Sequence, residues 1–288
     1  MNSSIRLEAK GLLSHNIARL FSISFFSFIL RYGALICCGY GIFSIYNSTL
    51  FKFLENNYSY ALVWFIFSLF SVTFFFLTLS FVSSIRLGEL FAYFTRANGG
   101  NGRFIHLFKF LSPARSIKAL VFFLRDTATK LLWWIYFLFP GIICCVSGYF
   151  LYENTGINNY VSVILSTGFS LILAISFVVG KMCALRYSAA PYYICLNESI
   201  TINDAIKKSI RLMDGFLSDG VLLQYSMTGW FLSCIFILPL FYVVPYAKLV
   251  RCVYITDVVF SRTASKVKYP INYGIFNSPT KSAYKSTP

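Results

Sequence analysis

YALVWFIFSLFSVTFFFLTLSFVSS, running from Tyr60 to Ser84, contains no charged residue, and Arg86 closes it. A helix needs about 20 predominantly apolar residues to cross the roughly 30 Å hydrocarbon core of a bilayer, and this stretch supplies them. Working outward, Leu131 to Tyr152 is a second such run, with Trp133 and Trp134 at one end and Tyr149 and Tyr152 at the other, as in an interfacial aromatic belt. Tyr160 to Gly180 is a third, stopped by Lys181, and Val221 to Leu238, centred on Trp230, is a fourth. Two further segments are compromised by charge. Leu20 to Tyr46 carries Arg31, and Leu240 to Phe260 carries Pro245, Lys248, Arg251 and Asp257. The expected fold is therefore all-α: a polytopic helical integral membrane protein with about six membrane segments, near 20–46, 60–84, 131–152, 160–180, 221–238 and 240–260.

Composition agrees. Of 288 residues, 57% are hydrophobic and 12% charged, whereas soluble domains average about 45–50% and about 25%. That balance excludes a soluble enzyme, a disordered chain or a nucleic-acid-binding domain as the first reading. The net charge of +15 would point to nucleic acid in a soluble protein. Here it maps onto topology. With the N-terminus in the cytoplasm, 21 of the 25 Lys and Arg fall in Met1–Arg19, Arg86–Lys130, Lys181–Asp219 and the tail from Arg262, and the two outer loops hold only Lys52. The positive-inside bias then places both termini in the cytoplasm and requires six segments, or five plus a re-entrant or surface-lying last helix. Residues 1–260 read as a single helical membrane domain and 261–288 as a disordered basic cytoplasmic tail. No signal-peptide cleavage pattern follows the first apolar run, so that segment is expected to be retained.

The cytoplasmic stretches carry helices of their own. Ser112-Pro113 is a helix start, after which Ile117, Leu120, Val121 and Leu124 form one face while Arg115, Lys118 and Arg125 sit opposite. This is the pattern either of a helix in the headgroup region or of a cytoplasmic helix with a solvated basic face. A second amphipathic helix is expected from Ile202 to Asp214, opened by Thr201 and Asp204, with Ile202, Ile206, Ile210 and Met213 as its apolar stripe and Gly215 as its stop.

Catalytic patterns are missing. Neither His15 nor His106 begins an HxxxxD acyltransferase pattern, HExxH is missing, no P-loop occurs, and the eight cysteines lack metal-ligand spacing. No cofactor is expected, and the four clearest segments hold no Asp or Glu for a proton relay. Ionisable residues at membrane depth are the default pointers to function, which singles out Arg31, with Lys181 and Arg186 at the exit of the third clear segment. Pro140, Pro191, Pro239 and Pro245 each remove a helical N–H, and such breaks in a membrane must be covered by protein or line a cavity.

Several of these residues carry a family resemblance. Trp134 followed by Pro140-Gly141-Ile142 resembles the LW…PGI signature of an uncharacterised bacterial membrane-protein family, domain of unknown function 975. Tyr187-Ser188-Ala189-Ala190-Pro191-Tyr192 matches its YSxAPY stretch. Asn197 stands at its Asn-containing turn, and Ala205, Ile206, Ser209, Leu212, Met213 and Gly215 follow its AI..S..LM.G helix. Ser226, Gly229-Trp230, Pro245-Tyr246 and Tyr254 complete the match, which is specific from about Leu131 to Phe260. The chain is also distantly similar to the membrane domain attached to some glycerophosphodiesterases. The resemblance implies an all-helical membrane protein without an assigned activity, and it adds Pro191, Tyr192, Pro245 and Tyr246 to the candidate residues.

The resulting expectation is a non-enzymatic, structural, regulatory or accessory protein of the bacterial cytoplasmic membrane. Its expected partners are membrane lipids with anionic headgroups, and a membrane protein or a second copy of the chain; nucleic acid is not among them. The alternative is a small-solute or lipid transporter with its site at the proline-kinked helices.

Overall fold

Long runs of Phe, Leu, Ile and Val must satisfy their backbone N–H and C=O groups within the segment once side chains exclude water, and helices do so. The computed structural model describes residues 2–14, 16–57, 60–155, 159–197, 199–227, 229–230 and 237–266, and among these there is no strand. The elements are α1 (Asn2–Ser14), α2 (Ile17–Tyr46), α3 (Thr49–Asn57), α4 (Tyr60–Ala97), a 3-10 turn (Phe104–Phe108), α5 (Pro113–Thr155), α6 (Asn159–Leu185), α7 (Ala190–Leu196), α8 (Ile202–Met213), α9 (Leu217–Ser226) and α10 (Ile237–Lys266). His15, residues 231–236 of the Val221–Leu238 segment and the tail from 267 lie outside the described residues. So do the side chains of Pro140, Cys144, Cys145, Tyr149, Tyr152, Cys234 and Pro239.

The helices fall into two compact units, Met1–Phe123 with Trp230–Pro288, and Leu124–Gly229. In the first, α2 and α4 pair antiparallel. Tyr46 meets Trp64 and Phe67 at ring distances of 5.8 and 6.2 Å, Gly41 faces Phe74, and the Leu20 carbonyl accepts from Tyr93 Oη at 3.2 Å. The Tyr60 helix does not stop at Arg86 but runs to Ala97, 38 residues in all, or about 57 Å at 1.5 Å per residue. Its two halves differ. Leu62, Phe65, Ile66, Leu69, Phe70, Phe75, Phe76 and Leu77 are about half exposed or more. From Ser83 onward Ile85, Leu87, Glu89, Ala92, Tyr93 and Phe94 are buried. The charges at Arg86 and Glu89 end the hydropathic run but not the helix, because from Ser83 onward one side of it is packed against other helices.

That cover comes from the start of α2, the 3-10 turn, α1 and α10. Ile23, Ala92 and Leu107 form a small central cluster. The turn approaches α4 backbone to side: a Cβ on Gly88 would overlap the carbonyl oxygens of Leu107 and His106, so the contact requires glycine. Two residues past the end of α4 stands Gly99, whose φ of 82° favours glycine, with Gly100 N–H donating to the Thr95 carbonyl at 2.8 Å. α1 lays Ile5, Ala9 and Leu13 into this bundle. α10 is buried through most of Val243–Val259 and continues helical to Lys266, past the point where the polar tail begins.

In the second unit Trp134 of α5 packs on Phe177 of α6 at 5.0 Å, and Trp133 Nε1 donates to Tyr187 Oη at 3.1 Å. α8 packs on α7 through small residues. Ser209 accepts from the Ala189 N–H at 3.2 Å and donates to the Arg186 carbonyl at 2.7 Å. The buried face of α8 is therefore Ala205, Ser209, Leu212 and Met213. Of the expected stripe Ile202, Ile206, Ile210 and Met213, Met213 is fully buried and the three isoleucines are half-buried, because the buried face is turned toward Ala205 and Ser209, where Ser209 bonds to the backbone at Arg186 and Ala189. Thr201 caps α8, its Oγ1 accepting from the Asp204 N–H at 3.2 Å.

Candidate functional site

Ser24, Ser27 and Arg31 recur at i, i+3 and i+7 on α2, Glu89 and Tyr93 at i and i+4 on α4, and Lys248 and Cys252 at i and i+4 on α10. Each set occupies one face of its helix, and the three faces meet at the Glu89 carboxylate. Ser24 Oγ donates to Oε1 and Ser27 Oγ to Oε2, both at 2.9 Å. Arg31 pairs with Oε2 at 3.2 Å, its Nε donating to the Ser27 carbonyl at 3.1 Å. Lys248 pairs with Oε1 and donates to Ser24 Oγ at 3.2 Å. Tyr93 Oη lies 2.7 Å from Ser24 Oγ.

Burial within this cluster is uneven. The Glu89 side chain is 4% exposed, whereas those of Arg31 and Lys248 are 19% and 31% exposed. One hidden anion thus holds two cations whose outer sides reach the surface. A buried charge costs heavily unless paired and hydrogen-bonded, and here both carboxylate oxygens have a hydroxyl and a cation. The cluster clamps α2, α4 and α10 together and leaves an excess of one positive charge. Arg31 and Lys248 retain N–H donors beyond those used, on side chains that are partly exposed. The carboxylate itself is enclosed by its partners and is out of reach of a solute.

Position along the helices is equally informative. The aromatic cluster of Tyr46, Phe51, Tyr60, Trp64 and Phe67 sits at one end of the α2–α4 pair. Ser27 lies 19 residues from Tyr46, about 29 Å along α2, which is close to one hydrocarbon thickness.

The other residues singled out in the sequence do not join this cluster, apart from neighbours on α10. Pro245 is buried inside α10, and Tyr246 packs on Tyr242 at 5.6 Å with its hydroxyl donating to the Arg6 carbonyl at 3.5 Å. Arg115 is exposed and donates to the Lys109 carbonyl at 3.2 Å, and Lys118 is half-buried on the same helix. In the second unit Arg125 donates to Asn203, Lys181 lies 5.5 Å over the Phe177 ring, and Arg186 is exposed. There Pro191 starts α7, and Tyr192 is buried against Tyr193 at 5.8 Å. Of the apolar face that the sequence pattern picks out on α5, Ile117, Val121 and Leu124 are exposed and Leu120 is half-buried, while Ala119, Phe122 and Phe123 are buried.

Among the described residues no three His, Cys, Asp or Glu side chains come together as metal ligands. Among the described residues Cys37, Cys38, Cys183 and Cys252 are free thiols. His106, in the 3-10 turn, accepts from the Arg103 N–H through Nδ1 at 3.3 Å. Burial first, and then the cations Lys109 and Arg103, hold its pKa below the ordinary value.

No family model, curated protein or solved structure matches this chain. Its function is therefore argued from the cluster and the surfaces around it. Glu89, the centre of that cluster, escapes a hydropathy reading because it follows Arg86 in what reads as a cytoplasmic stretch. The signal that points to it is the polar stripe Ser24, Ser27, Arg31 on an otherwise apolar helix, which demands a counter-charge.

Proposed function

We propose that the chain is a polytopic integral membrane protein of the bacterial cytoplasmic membrane, with both termini in the cytoplasm. Its role in this reading is structural, regulatory or accessory rather than enzymatic, and it engages anionic lipid headgroups or a membrane partner. The observation that carries the reading is the surface of α2 and α4. Both are long and apolar enough to cross a membrane, yet only 22% and 6% of their most apolar stretches are buried. A core helix of a soluble protein would bury that surface, since contiguous exposed apolar patches of this extent mark membrane or partner contact.

Three features add to it. The aromatic cluster and Ser27 of the Glu89 cluster stand about one hydrocarbon thickness apart along α2, which supports a position near the cytoplasmic headgroups for Ser27 and the long side chains of Arg31 and Lys248 beside it. There each cation near an anionic leaflet is worth about 1 kcal/mol of attraction. The exposed face of Ile117, Val121 and Leu124 beside Arg115 and Arg125 fits a helix dipping into the same region. The YSxAPY stretch and its following helix keep the likeness to domain of unknown function 975 as a proposal of kinship.

The test is direct. The protein should stay with membranes through an alkaline carbonate wash and leave only with detergent, and reporter fusions after Lys130 and after Pro288 should both report cytoplasm. Release by carbonate refutes the membrane reading, an external C-terminus refutes the topology, and turnover of a substrate by the purified protein in liposomes refutes the non-enzymatic role.

A further inference from the structure

At the outer end of the α2–α4 pair, beneath α3, lies an apolar cavity of about 440 Å³. We propose that it holds one acyl chain of a membrane phospholipid whose phosphate sits over Lys52, a reading that rests on the membrane placement above.

The cavity has a built shape. Phe51 and Val63 are its buried lining, 4% and 8% exposed, and half-buried Leu54 of α3 lines it as well. Leu62, Ile66 and Phe70, one turn apart on α4, make a rim that stays about half exposed. The opening is thus lateral, along the face that α4 turns toward the bilayer, which is the direction from which a lipid chain arrives. An engineered apolar cavity of about 150 Å³ stays dry and takes benzene. A cavity nearly three times larger, lined without a polar partner for water, accepts a chain of methylenes and refuses a headgroup.

Charge selects among apolar occupants. α3 places Phe51 and Leu54 in the cavity and, on the same turn, exposes Lys52, the only cation of the outer loops. The cavity sits immediately beside the Tyr46–Trp64 aromatic cluster, the level at which a phospholipid changes from chain to headgroup. A chain in the cavity therefore brings its phosphate to the ammonium of Lys52, a charge-assisted contact of the stronger kind.

The experiment uses the full chain purified in mild detergent, supplied with phosphatidylglycerol and read by native mass spectrometry. One phospholipid per protein should persist through detergent washing. Filling the cavity with Ile66→Trp should lower that retention at least tenfold, and Lys52→Glu several-fold. In vesicles of phosphatidylcholine with phosphatidylglycerol, a phosphatidylglycerol bearing an acyl-chain diazirine should label residues 45–70 selectively. The labelling of the wild-type chain decides the matter if Ile66→Trp does not fold. Equal retention by Ile66→Trp, labelling spread evenly over the exposed faces of α2 and α4, or a fatty-acid mass in place of a phospholipid each overturns the proposal. A protein that resists carbonate yet retains no phospholipid refutes the cavity's role alone; a protein released by carbonate refutes the membrane reading beneath it.

Discussion

Replacing Glu89 by Gln removes one negative charge and leaves the shape of the side chain, so it isolates what the charge contributes. The carboxylate accepts from two serine hydroxyls and pairs with two cations. Breaking a buried pair by removing one partner costs about 3–5 kcal/mol, chiefly because the remaining charge is stranded. Arg31 and Lys248 are partly exposed and recover some hydration, which puts Glu89→Gln at the lower end, about 3 kcal/mol. For a chain of this size 1 kcal/mol moves the melting temperature by about 2–4 °C, so the variant should melt roughly 6–12 °C below wild type. Thermal unfolding in a fixed detergent, followed by tryptophan fluorescence, measures this. Lys248→Met should cost less, because Arg31 still neutralises Glu89. The double variant should lose less than the two single losses added, with a coupling of about 0.5–3 kcal/mol as expected for contacting groups. A Glu89→Gln melt within 2 °C of wild type, or strict additivity, would show that charge at this point does not hold the three helices together.

Three further outcomes follow from the packing. His106 has its pKa held below the ordinary 6.5, so its contribution to stability is present above about pH 6.5 and is lost as pH falls through the lower folded value. Melting at pH 7.5 and pH 5.5 should show that loss in wild type and a smaller one in His106→Asn, which keeps an acceptor for the Arg103 N–H without titrating. Gly88→Ala forces a methyl group against the Leu107 and His106 carbonyls and should cost about 2 kcal/mol by overpacking; an unchanged melt would mean that the turn moves freely. Ser209→Ala removes the acceptor of the buried Ala189 N–H and the donor to the Arg186 carbonyl. It should cost about 1–3 kcal/mol and speed hydrogen exchange at Ala189, and exchange at the wild-type rate would refute the bond.

The helical class was legible because apolar runs such as Tyr60–Ser84 leave few other ways to satisfy a backbone. The extent of the elements was harder to see. Hydropathy stops α4 at Arg86, since it weighs side chains against lipid alone. The helix goes on because Leu87, Ala92, Tyr93 and Phe94 are met by α2, α10 and the 3-10 turn, neighbours distant in sequence. Arg31 stood out as an ionisable residue in an apolar segment, and Lys248 as one in the last segment. Their common partner Glu89 did not, because the residues that bring the three together lie up to 224 positions apart, as in the contact of Lys248 with Ser24. The same limit applies to faces. On α8 the bulky isoleucines suggest one stripe, but the identity of the neighbour decides, and α7 takes the side that carries Ala205 and Ser209.

α4 contains no proline and a single glycine among its 38 residues, and sharp bends in helices arise at proline, glycine or inserted residues. It is in effect a stiff rod, gripped at one end by charges and clad in bulky apolar side chains at the other. Helices answer a change in bilayer thickness by tilting, at a modest cost per ångström of mismatch. A rod without a joint hands that tilt on to its gripped end. In the membrane placement proposed above, a thinner or thicker bilayer would therefore bring its strain to Glu89, Arg31 and Lys248, far from the apolar surface that meets the change.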